Sequence, residues 1–323
     1  MSHANGDPRQ PVWVERAPTS LDGQPTDRLL FIFRAVGCTY ARRPEGGCTM
    51  CGFTPMTLPA GQLTDADLIA QFDSVFADPA RLTGIGQADL YMSGSFLADD
   101  EMPPPVRDHV FRRLAALGLR RVLIESRPEF ITAAALREAA VLPPGVLEVG
   151  IGLESADDHI REVLIRKGFG RAAFEQAAAQ LARAGARLLV NVLLKPLGVT
   201  DDAAAVADAV ATGRYVFDLA RRLALPTRVA LQPVFVAPGT PLEREFLASR
   251  YQPPSLWSVV AAVRGLHPLG ETTVGLSDEG LEPHRAPAGC PRCDAALRTA
   301  LREFNRHRSL AVFDGLSCPC QKG

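Results

Sequence analysis

Seven cysteines are the residues of this 323-residue sequence whose type and spacing most clearly indicate chemistry. They fall into two groups, Cys38, Cys48 and Cys51 near the start and Cys290, Cys293, Cys318 and Cys320 near the end. In a reducing compartment, clustered cysteines are more often metal ligands or redox groups than disulfides. The sequence therefore predicts two separate thiol sites.

The first group, formed by Cys38, Cys48 and Cys51, has the spacing C-x9-C-x2-C. It begins directly after an apolar run predicted as a strand, where barrel enzymes hold their chemistry. Three thiolates can hold three irons of a [4Fe–4S] cluster and leave the fourth iron open. A structural zinc site would instead be closed by four ligands. The spacing therefore favours an open iron–sulfur cluster.

The second group consists of two close pairs in the pattern C-x2-C-x24-C-x-C, formed by Cys290, Cys293, Cys318 and Cys320. Four thiolates can close a tetrahedral zinc site, in which His284 could replace one ligand. We expect zinc here, as a staple for the C-terminal tail. A second iron–sulfur cluster and free or redox-active thiols are the alternatives.

The helix predicted between the two cysteine pairs is rich in basic residues. These are Arg298, Arg302, Arg306, His307 and Arg308. Such a face could meet RNA phosphates, but a solvated helix face is the commoner explanation.

The elements that must position these groups alternate between apolar runs and helical stretches. Six apolar runs predict strands buried on both faces of a parallel sheet: Leu29–Val36, Asp89–Met92, Arg121–Glu125, Leu147–Gly152, Arg187–Leu194 and Arg228–Phe235. The alternation implies right-handed crossovers. We predict an α/β fold, a partial (β/α)6 TIM-type barrel with a small C-terminal Cys-rich extension. A doubly wound open sheet is the alternative, weakened because no GxGxxG follows the first strand.

Composition and patterning predict three regions and exclude some classes of protein. Residues 1–27 are polar and Pro-rich, and we predict that they form a loosely ordered lead-in. We predict that residues 28–250 form the barrel and that residues 251–323 form a metal-binding extension. The net charge of −1 argues against a protein that binds nucleic acid over its whole surface. No apolar run approaches the roughly 18 residues of a membrane helix, and the N-terminus lacks a signal-peptide layout. We therefore expect a cytoplasmic protein with no membrane partner.

Several stretches together resemble the radical SAM superfamily, and in particular the archaeosine-biosynthesis radical SAM proteins (RaSEA), relatives of the elongator catalytic subunit's radical SAM domain. They are GCTYARRPEGGCTMCGF, LYMSGSF, ESRPEFIT, GIGLES, LIRKGF, LLKPL and CPRCD with a terminal CPC. The resemblance covers roughly Leu29 to Cys320. It departs from the superfamily in the nine-residue gap of the first group, which is wider than the usual three.

The resemblance implies that Cys38, Cys48 and Cys51 ligate a [4Fe–4S] cluster whose open iron chelates S-adenosylmethionine. A reduced cluster would cleave this cofactor to a 5′-deoxyadenosyl radical that abstracts hydrogen from the substrate. It implies an electron donor of the flavodoxin or ferredoxin type. The likeness to the archaeosine-biosynthesis proteins implies C–N bond cleavage on a lysine adduct of a 7-deazaguanine base in tRNA, which a partner subunit would present.

Two other functions remain open from the sequence. One is radical SAM tailoring of a small nucleoside or natural product. The other, of a different class, is a zinc-stapled binding module without catalysis, which would hold zinc in both cysteine groups.

The ends of the predicted strands supply candidate cofactor ligands. By resemblance, the turn Ser93-Gly94-Ser95 receives the methionyl ammonium, and Met50 lies beside the adenine. The family's usual Gly-Gly-Glu is absent from that turn, which leaves an acidic contact there in doubt.

Charged residues at the next strand ends extend this set. Glu125 and Arg127 could clamp a zwitterionic methionine or pair with each other. Glu154 could face the ribose hydroxyls or the ammonium, and as a buried carboxylate it should have a partner. Lys195 is the candidate for a catalytic, substrate-side or cofactor-side charge, whereas Lys167 is expected at a helix end in solvent.

Overall fold

A computed structural model describes residues 6–44, 46–52, 57–59, 61–276 and 281–322. It contains one eight-stranded sheet in the order β1 to β8. The strands are β1 Trp13–Leu21, β2 Gln24–Ile32, β3 Ile85–Tyr91, β4 Arg121–Glu125, β5 Leu147–Glu154, β6 Arg187–Leu194, β7 Thr227–Pro233 and β8 Thr272–Val274. β1 and β2 pair antiparallel, and all later neighbours pair parallel.

Nine α-helices lie within these described residues. They are α1 Asp65–Phe76, α2 Pro79–Leu82, α3 Pro104–Ala116, α4 Ala133–Glu138, α5 Arg171–Arg183, α6 Asp202–Leu223, α7 Pro241–Leu247, α8 Leu256–Leu266 and α9 Asp294–His307. Side chains in the preceding loops fix several helix starts. Thr64 and Asp67 form a capping box at α1, and Asp201 caps α6.

The strands have two chemically different faces, because successive side chains point to opposite sides of a sheet. One face packs under the helices in the main core, as Val122 and Ile124 of β4 do. The opposite face carries a small separate apolar layer formed by Leu123, Leu189 and Ala230, with Tyr91 packed against it. This face lines the barrel interior, where the polar side chains of Glu125, Asn191 and Gln232 also lie.

The partial barrel predicted from the sequence is confirmed. All six predicted strands are present, as β2 to β7. The boundaries of four of them differ from the predicted boundaries by a few residues. The doubly wound alternative is wrong, because the strands follow one another in sequence order without a reversal point.

The loosely ordered lead-in is wrong for residues 13–27, which form a β-hairpin in the sheet. The hairpin turns at Asp22-Gly23, both at positive φ, which is the two-residue turn that an Asp-Gly pair favours. β1 is an edge strand, where Pro18 and polar residues are tolerated because one edge and much of one face meet solvent. Residues 1–5 of the predicted lead-in lie outside the described residues.

The C-terminal extension contributes to the barrel as well. β8 adds a strand beside β7, and α9 packs against both β1 and β8. The side-chain amide of Asn305 accepts from the Val274 N–H at 2.9 Å and donates to the Val274 carbonyl at 2.7 Å. It thus completes the edge of β8. The domain boundary at residue 250 stays a prediction, and residues 277–280 and 323 of the extension lie outside the described residues.

In the described part of the chain, no helix is both long enough and apolar enough to cross a membrane.

We expect Asn305→Ala to lower the free energy of unfolding by about 1–3 kcal/mol, because it leaves the main-chain N–H and carbonyl of buried Val274 without hydrogen-bond partners. Chemical denaturation measures this change. The matched control is Arg306→Ala on the exposed side of the same helix. Equal stability of the two variants would contradict the role of Asn305.

Candidate active site

The first cysteine group lies in the loop after β2, at the carboxyl end of the parallel strands. Main-chain carbonyls of the loop between β5 and α5 hold this cysteine loop in place. Thr49 donates from its N–H and its hydroxyl to the carbonyl oxygens of Ile165 and Leu164, at 2.9 and 2.8 Å. The hydroxyl of Tyr40 donates to the carbonyl of Arg166 at 2.8 Å. The position of the thiols therefore depends on the β5–α5 loop.

A buried arginine shapes the β5–α5 loop from within. The loop contains a π-helix, His159–Leu164, a rare element often found at functional sites. Arg161 of this turn is fully buried and donates to the carbonyl oxygens of Ser155 and Phe169, each at 3.2 Å. Its guanidinium also pairs with Glu162 at 2.7 Å. Because one side chain binds both ends of the loop, it closes the loop into a compact turn.

The same loop brings Lys167 into the barrel mouth. Lys167 Nζ lies 2.6 Å from Glu154 Oε1, and both side chains are nearly buried. The expectation that Lys167 lies in solvent is therefore wrong, and the expectation of a partner for Glu154 is confirmed. Burial alone would lower the pKa of Lys167, but the Glu154 carboxylate outweighs it and holds that pKa above its ordinary value.

Cys48 shares this environment. Burial raises the pKa of its thiol to about 11, against the opposing effect of Lys167. The thiolate is the form that binds metal, so ligation at Cys48 must displace a proton.

The three thiols of this group are arranged differently from the four C-terminal ones. The sulfur atoms of the C-terminal cysteines all lie within 4.8 Å of one another, but among the described residues Cys38, Cys48 and Cys51 form no such group. A polynuclear cluster binds each cysteine through a different iron and so needs sulfurs farther apart. The donor set, three thiols in one anchored loop, fits such a cluster.

The turn Ser93-Gly94-Ser95 lies directly beside the cysteine loop. A Cβ at Gly94 would lie 3.3 Å from the Cα of Cys38 and only 2.1 Å from Glu101 Oε2, so the turn requires glycine. The buried carboxylate of Glu101 accepts from the N–H of Ser95 and from the N–H of Thr39, the latter at 2.6 Å. Glu101 thus joins this turn to the cysteine loop. Sequence reasoning missed it because it lies six residues beyond the turn.

Glu125 and Arg127 have separate partners, so the mutual ion pair considered from the sequence is wrong. Arg127 pairs with Glu129 at 2.6 Å, donates to the Lys167 carbonyl at 2.9 Å and lies over the Tyr40 ring at 4.4 Å. It therefore braces the β5–α5 loop. A contact of either residue with methionine stays a prediction.

Glu125 instead belongs to a row of polar side chains inside the barrel. Its Oε1 accepts from Asn191 Nδ2 at 2.8 Å, and Asn191 Oδ1 accepts from Gln232 Nε2 at 3.0 Å. Burial raises the pKa of Glu125 to about 7, with Asn191 opposing the shift and Glu154 adding to it.

Lys195, the candidate catalytic residue, has its charge partnered within the fold. Its Nζ lies 2.5 Å from Asp202 at the start of α6, and Asp202 also accepts from the Ser255 N–H at 3.1 Å. The hydroxyl of Tyr251 donates to the Lys195 carbonyl at 2.7 Å. Lys195 thus ties the end of β6 to α6 and to the start of α8. Its catalytic role stays a prediction.

Met50 packs against an apolar cluster that contains Val234 and Leu242. This contact holds the part of the cysteine loop around Met50 against the segment after β7. Its place beside an adenine stays a prediction.

The C-terminal cysteines form the second site. Sulfur–sulfur distances are 3.7 Å for Cys290–Cys293, 3.5 Å for Cys290–Cys318 and 3.6 Å for Cys293–Cys320. These four sulfurs can hold one metal ion. His284 lies outside the group and stacks on Phe246. The expectation that His284 could replace one of the cysteine ligands is therefore wrong.

The basic face of α9 is partly neutralised. Arg298 pairs with Asp294 at 2.8 Å, and His307 lies 3.1 Å from Glu303. Arg302 and Arg306 are exposed. This pattern fits a solvated helix face.

We expect Glu125→Gln to flatten the pH dependence of stability. The ordinary pKa of a glutamate is 4.5, and the pKa of Glu125 in the folded chain is about 7. Between these two pH values the folded chain keeps the proton on Glu125, whereas the unfolded chain has lost it. Stability should therefore fall as pH rises through this window, and the variant should lose that part of the fall.

Melting temperatures of both proteins between pH 4.5 and 8 provide the measurement. Glu175→Gln on outer helix α5, whose carboxylate also accepts from a neutral donor, is the control. Parallel curves for Glu125→Gln and wild type would contradict the shift.

Comparison with known proteins gives two informative relatives and one solved structure, while no family model matches. Archaeosine synthase subunit beta of Methanosarcina acetivorans is 27% identical over 328 residues, which cover 97% of this chain and 92% of the relative. Its namesake of Thermococcus kodakarensis is 28% identical over 303 residues, which cover 93% and 91%. The chain is thus similar to these proteins along nearly its whole length.

The solved structure of archaeal Elp3 from Methanocaldococcus infernus matches with a TM-score of 0.54 at 12% identity. The match covers 78% of this chain and 59% of the Elp3 chain, and it shows a shared fold alone. The names of the two relatives, each a subunit of a synthase, favour an enzyme over the alternative of a non-catalytic binding module. In its half-barrel fold this protein is thus similar to Elp3, and along nearly its whole sequence it is similar to archaeosine synthase beta subunits, as expected for a radical SAM enzyme.

Proposed function

We propose that this enzyme cleaves a C–N bond in a lysine adduct of a 7-deazaguanine base in tRNA. The observation that carries the cofactor part of the proposal is the buried Lys167–Glu154 pair beside Cys48, at the mouth of the barrel. The names of the two archaeosine synthase relatives support the substrate.

Cys38, Cys48 and Cys51 would hold a [4Fe–4S] cluster in this proposal. When bound with S-adenosylmethionine, the cluster supplies one electron and, through the cofactor, a 5′-deoxyadenosyl radical for hydrogen abstraction. An electron donor of the flavodoxin or ferredoxin type is part of the proposal. The protein's task is to hold, orient and shield these groups.

The Lys167–Glu154 pair suits a zwitterionic ligand. The methionine part of S-adenosylmethionine carries one carboxylate and one ammonium. Inserted between the two side chains, it would give Lys167 a carboxylate and Glu154 an ammonium, so that neither buried charge loses its partner. The pair therefore lets a charged ligand enter without an uncompensated charge.

The neighbouring turn would complete the cofactor's cradle. Gly94 allows the main chain of Ser93-Gly94-Ser95 to lie against the cysteine loop, and Glu101 fixes it there. The carbonyl and hydroxyl oxygens of such a turn can accept hydrogens from the ligand's ammonium. Arg127 and Tyr40 would help exclude water by holding the β5–α5 loop over the site.

A partner subunit would present the tRNA. With a net charge of −1, this chain offers little overall electrostatic attraction to a polyanion. The word "subunit" in the names of the relatives supports an assembly with a second chain.

The C-terminal cysteines would hold a structural zinc. Four thiol sulfurs without an open position match a closed tetrahedral zinc site. Zinc would tie the chain end to the start of α9, the helix that packs on both outer strands.

Lys167→Met should weaken S-adenosylmethionine binding roughly 10- to 100-fold, because it removes a charge-assisted contact to the carboxylate and leaves Glu154 unpaired. Equilibrium dialysis with the anaerobically reconstituted protein measures the affinity. Lys167→Arg should recover part of it, and Glu175→Gln should match wild type. Wild-type affinity in Lys167→Met would contradict the proposed cradle.

The double variant Cys290→Ser/Cys293→Ser should lose about one zinc per chain and melt at a lower temperature, while the iron content stays that of wild type. Elemental analysis and thermal unfolding measure both effects. Iron lost together with the zinc, or an unchanged metal content, would contradict a separate zinc site.

A further inference from the structure

Arginines line the barrel interior below the apolar layer, at the amino ends of the strands. Arg121 of β4, Arg187 of β6 and Arg228 of β7 each lie two positions before a member of that layer. Because alternate residues of a strand point to the same face, all three side chains point into the lower part of the interior. Arg308, the residue that ends α9, lies close enough to Arg121 and Arg228 to interact with their charges.

Two arginines of this region have tight ion pairs. The Nε of Arg228 donates to both oxygens of the buried Glu148 carboxylate, at 3.0 and 3.1 Å. Arg28 of β2 lies 2.8 Å from the buried carboxylate of Asp89. Burial alone would lower the pKa of each arginine, but its carboxylate outweighs burial and holds that pKa above the ordinary value.

The other three arginines, Arg121, Arg187 and Arg308, form what we call the lower arginine cluster. Each has one buried nitrogen that finds no hydrogen-bond acceptor among the described residues: Nη1 of Arg121, Nε of Arg187 and Nε of Arg308. Arg308 also donates weakly from Nη1 to Asn305, at 3.4 Å. A buried N–H group without an acceptor is costly, and here three such groups belong to charged side chains.

The carboxylates nearest to the cluster lie too far away to accept these hydrogen bonds. Arg121 lies 3.8 Å from Glu271 and 3.9 Å from Glu148, which is already paired. Asp22, at the tip of the β1–β2 hairpin, lies 3.6 Å from Arg121 and 3.8 Å from Arg187. Direct N–H···O bonds measure about 2.7–3.2 Å, so these contacts are loose. Asp22 is also 70% exposed, so solvent screens its charge.

The balance of charge in this region is positive. In the described part of the chain, its five arginines meet four carboxylates, those of Asp22, Asp89, Glu148 and Glu271. Burial lowers the pKa of Arg121, and it lowers that of Arg308 to about 10, because the nearby carboxylates do not outweigh it. The cluster therefore offers an anion both positive charge and unused donors.

The cluster is open toward the end of the barrel opposite the cysteine loop. The side chain of Arg187 is 22% exposed and Arg308 is half-buried, whereas Arg121 is only 2% exposed. The apolar layer covers the cluster from above. A small ion can therefore reach Arg121 from the amino ends of the strands, whereas a bulky ligand cannot.

We propose that the lower arginine cluster binds a small tetrahedral oxyanion of the phosphate or sulfate type. The oxygens of this ion accept from the unpartnered nitrogens of Arg121, Arg187 and Arg308, and its charge compensates the excess positive charge. Guanidinium groups suit such oxyanions because their planar N–H groups match the spacing of the oxygens. The bound ion connects β4 and β6 to the end of α9. This site shares no residue with the candidate active site.

Binding of inorganic phosphate and of sulfate to the reconstituted full-length protein tests this site. Calorimetry should show saturable binding of one ion per chain, and the tighter of the two ions identifies the ligand. Wild type should also melt at a higher temperature in either oxyanion than in chloride, since a ligand that binds only the folded state stabilises it. Chloride at equal ionic strength is the reference, because it reproduces nonspecific screening.

Two variants at the partly exposed rim assign the binding to the cluster. Arg187→Gln and Arg308→Gln each remove one charged donor and should weaken oxyanion binding roughly 10-fold. Arg187→Lys keeps the charge without the planar group and should recover part of the affinity. The matched control is Arg302→Gln on the exposed face of α9, which should bind as wild type does.

Phenyl phosphate, which carries the same group on a bulky ring, should not compete for the site. Competition by phenyl phosphate would overturn the assignment to a small ion. The proposal is also overturned if phosphate and sulfate raise the melting temperature no more than chloride does, because water alone would then fill the cluster. Wild-type affinity in both Arg187→Gln and Arg308→Gln would place the anion elsewhere and overturn it equally.

Discussion

The candidate active site depends on how Arg161 closes the β5–α5 loop. A fully buried guanidinium must satisfy its donors within the protein, and here it does so with carbonyl oxygens from both ends of that loop. The closed loop turns its own carbonyls toward Thr49 and Tyr40 of the cysteine loop and carries Lys167 to Glu154. One buried side chain thereby sets the relation between the thiols and the ion pair.

The barrel interior is layered by polarity, and the layers correspond to separate tasks. At the amino ends of the strands, Arg228 and Glu148 form a buried pair that belongs to the fold. An apolar layer with Leu123 and Leu189 separates it from the polar row and the mouth. The upper face can therefore specialise in ligands while the lower face stabilises the barrel.

Much of this arrangement follows from local sequence patterns. Apolar runs predicted six strands, and cysteine spacing predicted two thiol sites, because both signals are short-range. Lys167 was misplaced because its burial depends on Arg161, whose partners lie at both ends of a loop that the pattern does not define. Glu101 was missed for a similar reason. The pair Asp22-Gly23 is typical of a hairpin turn, but the strand before it is polar and contains a proline, so its pairing with β2 was not predicted.

The central claim is that Cys38, Cys48 and Cys51 hold a cluster that performs radical chemistry. The most direct test compares wild type with the triple alanine variant after anaerobic reconstitution, measuring iron, sulfide and the 5′-deoxyadenosine formed on reduction. We predict about four irons and four sulfides per chain with 5′-deoxyadenosine in wild type, and loss of all three in a folded variant. A variant that still forms 5′-deoxyadenosine, or a wild type that binds zinc and no iron, would contradict it.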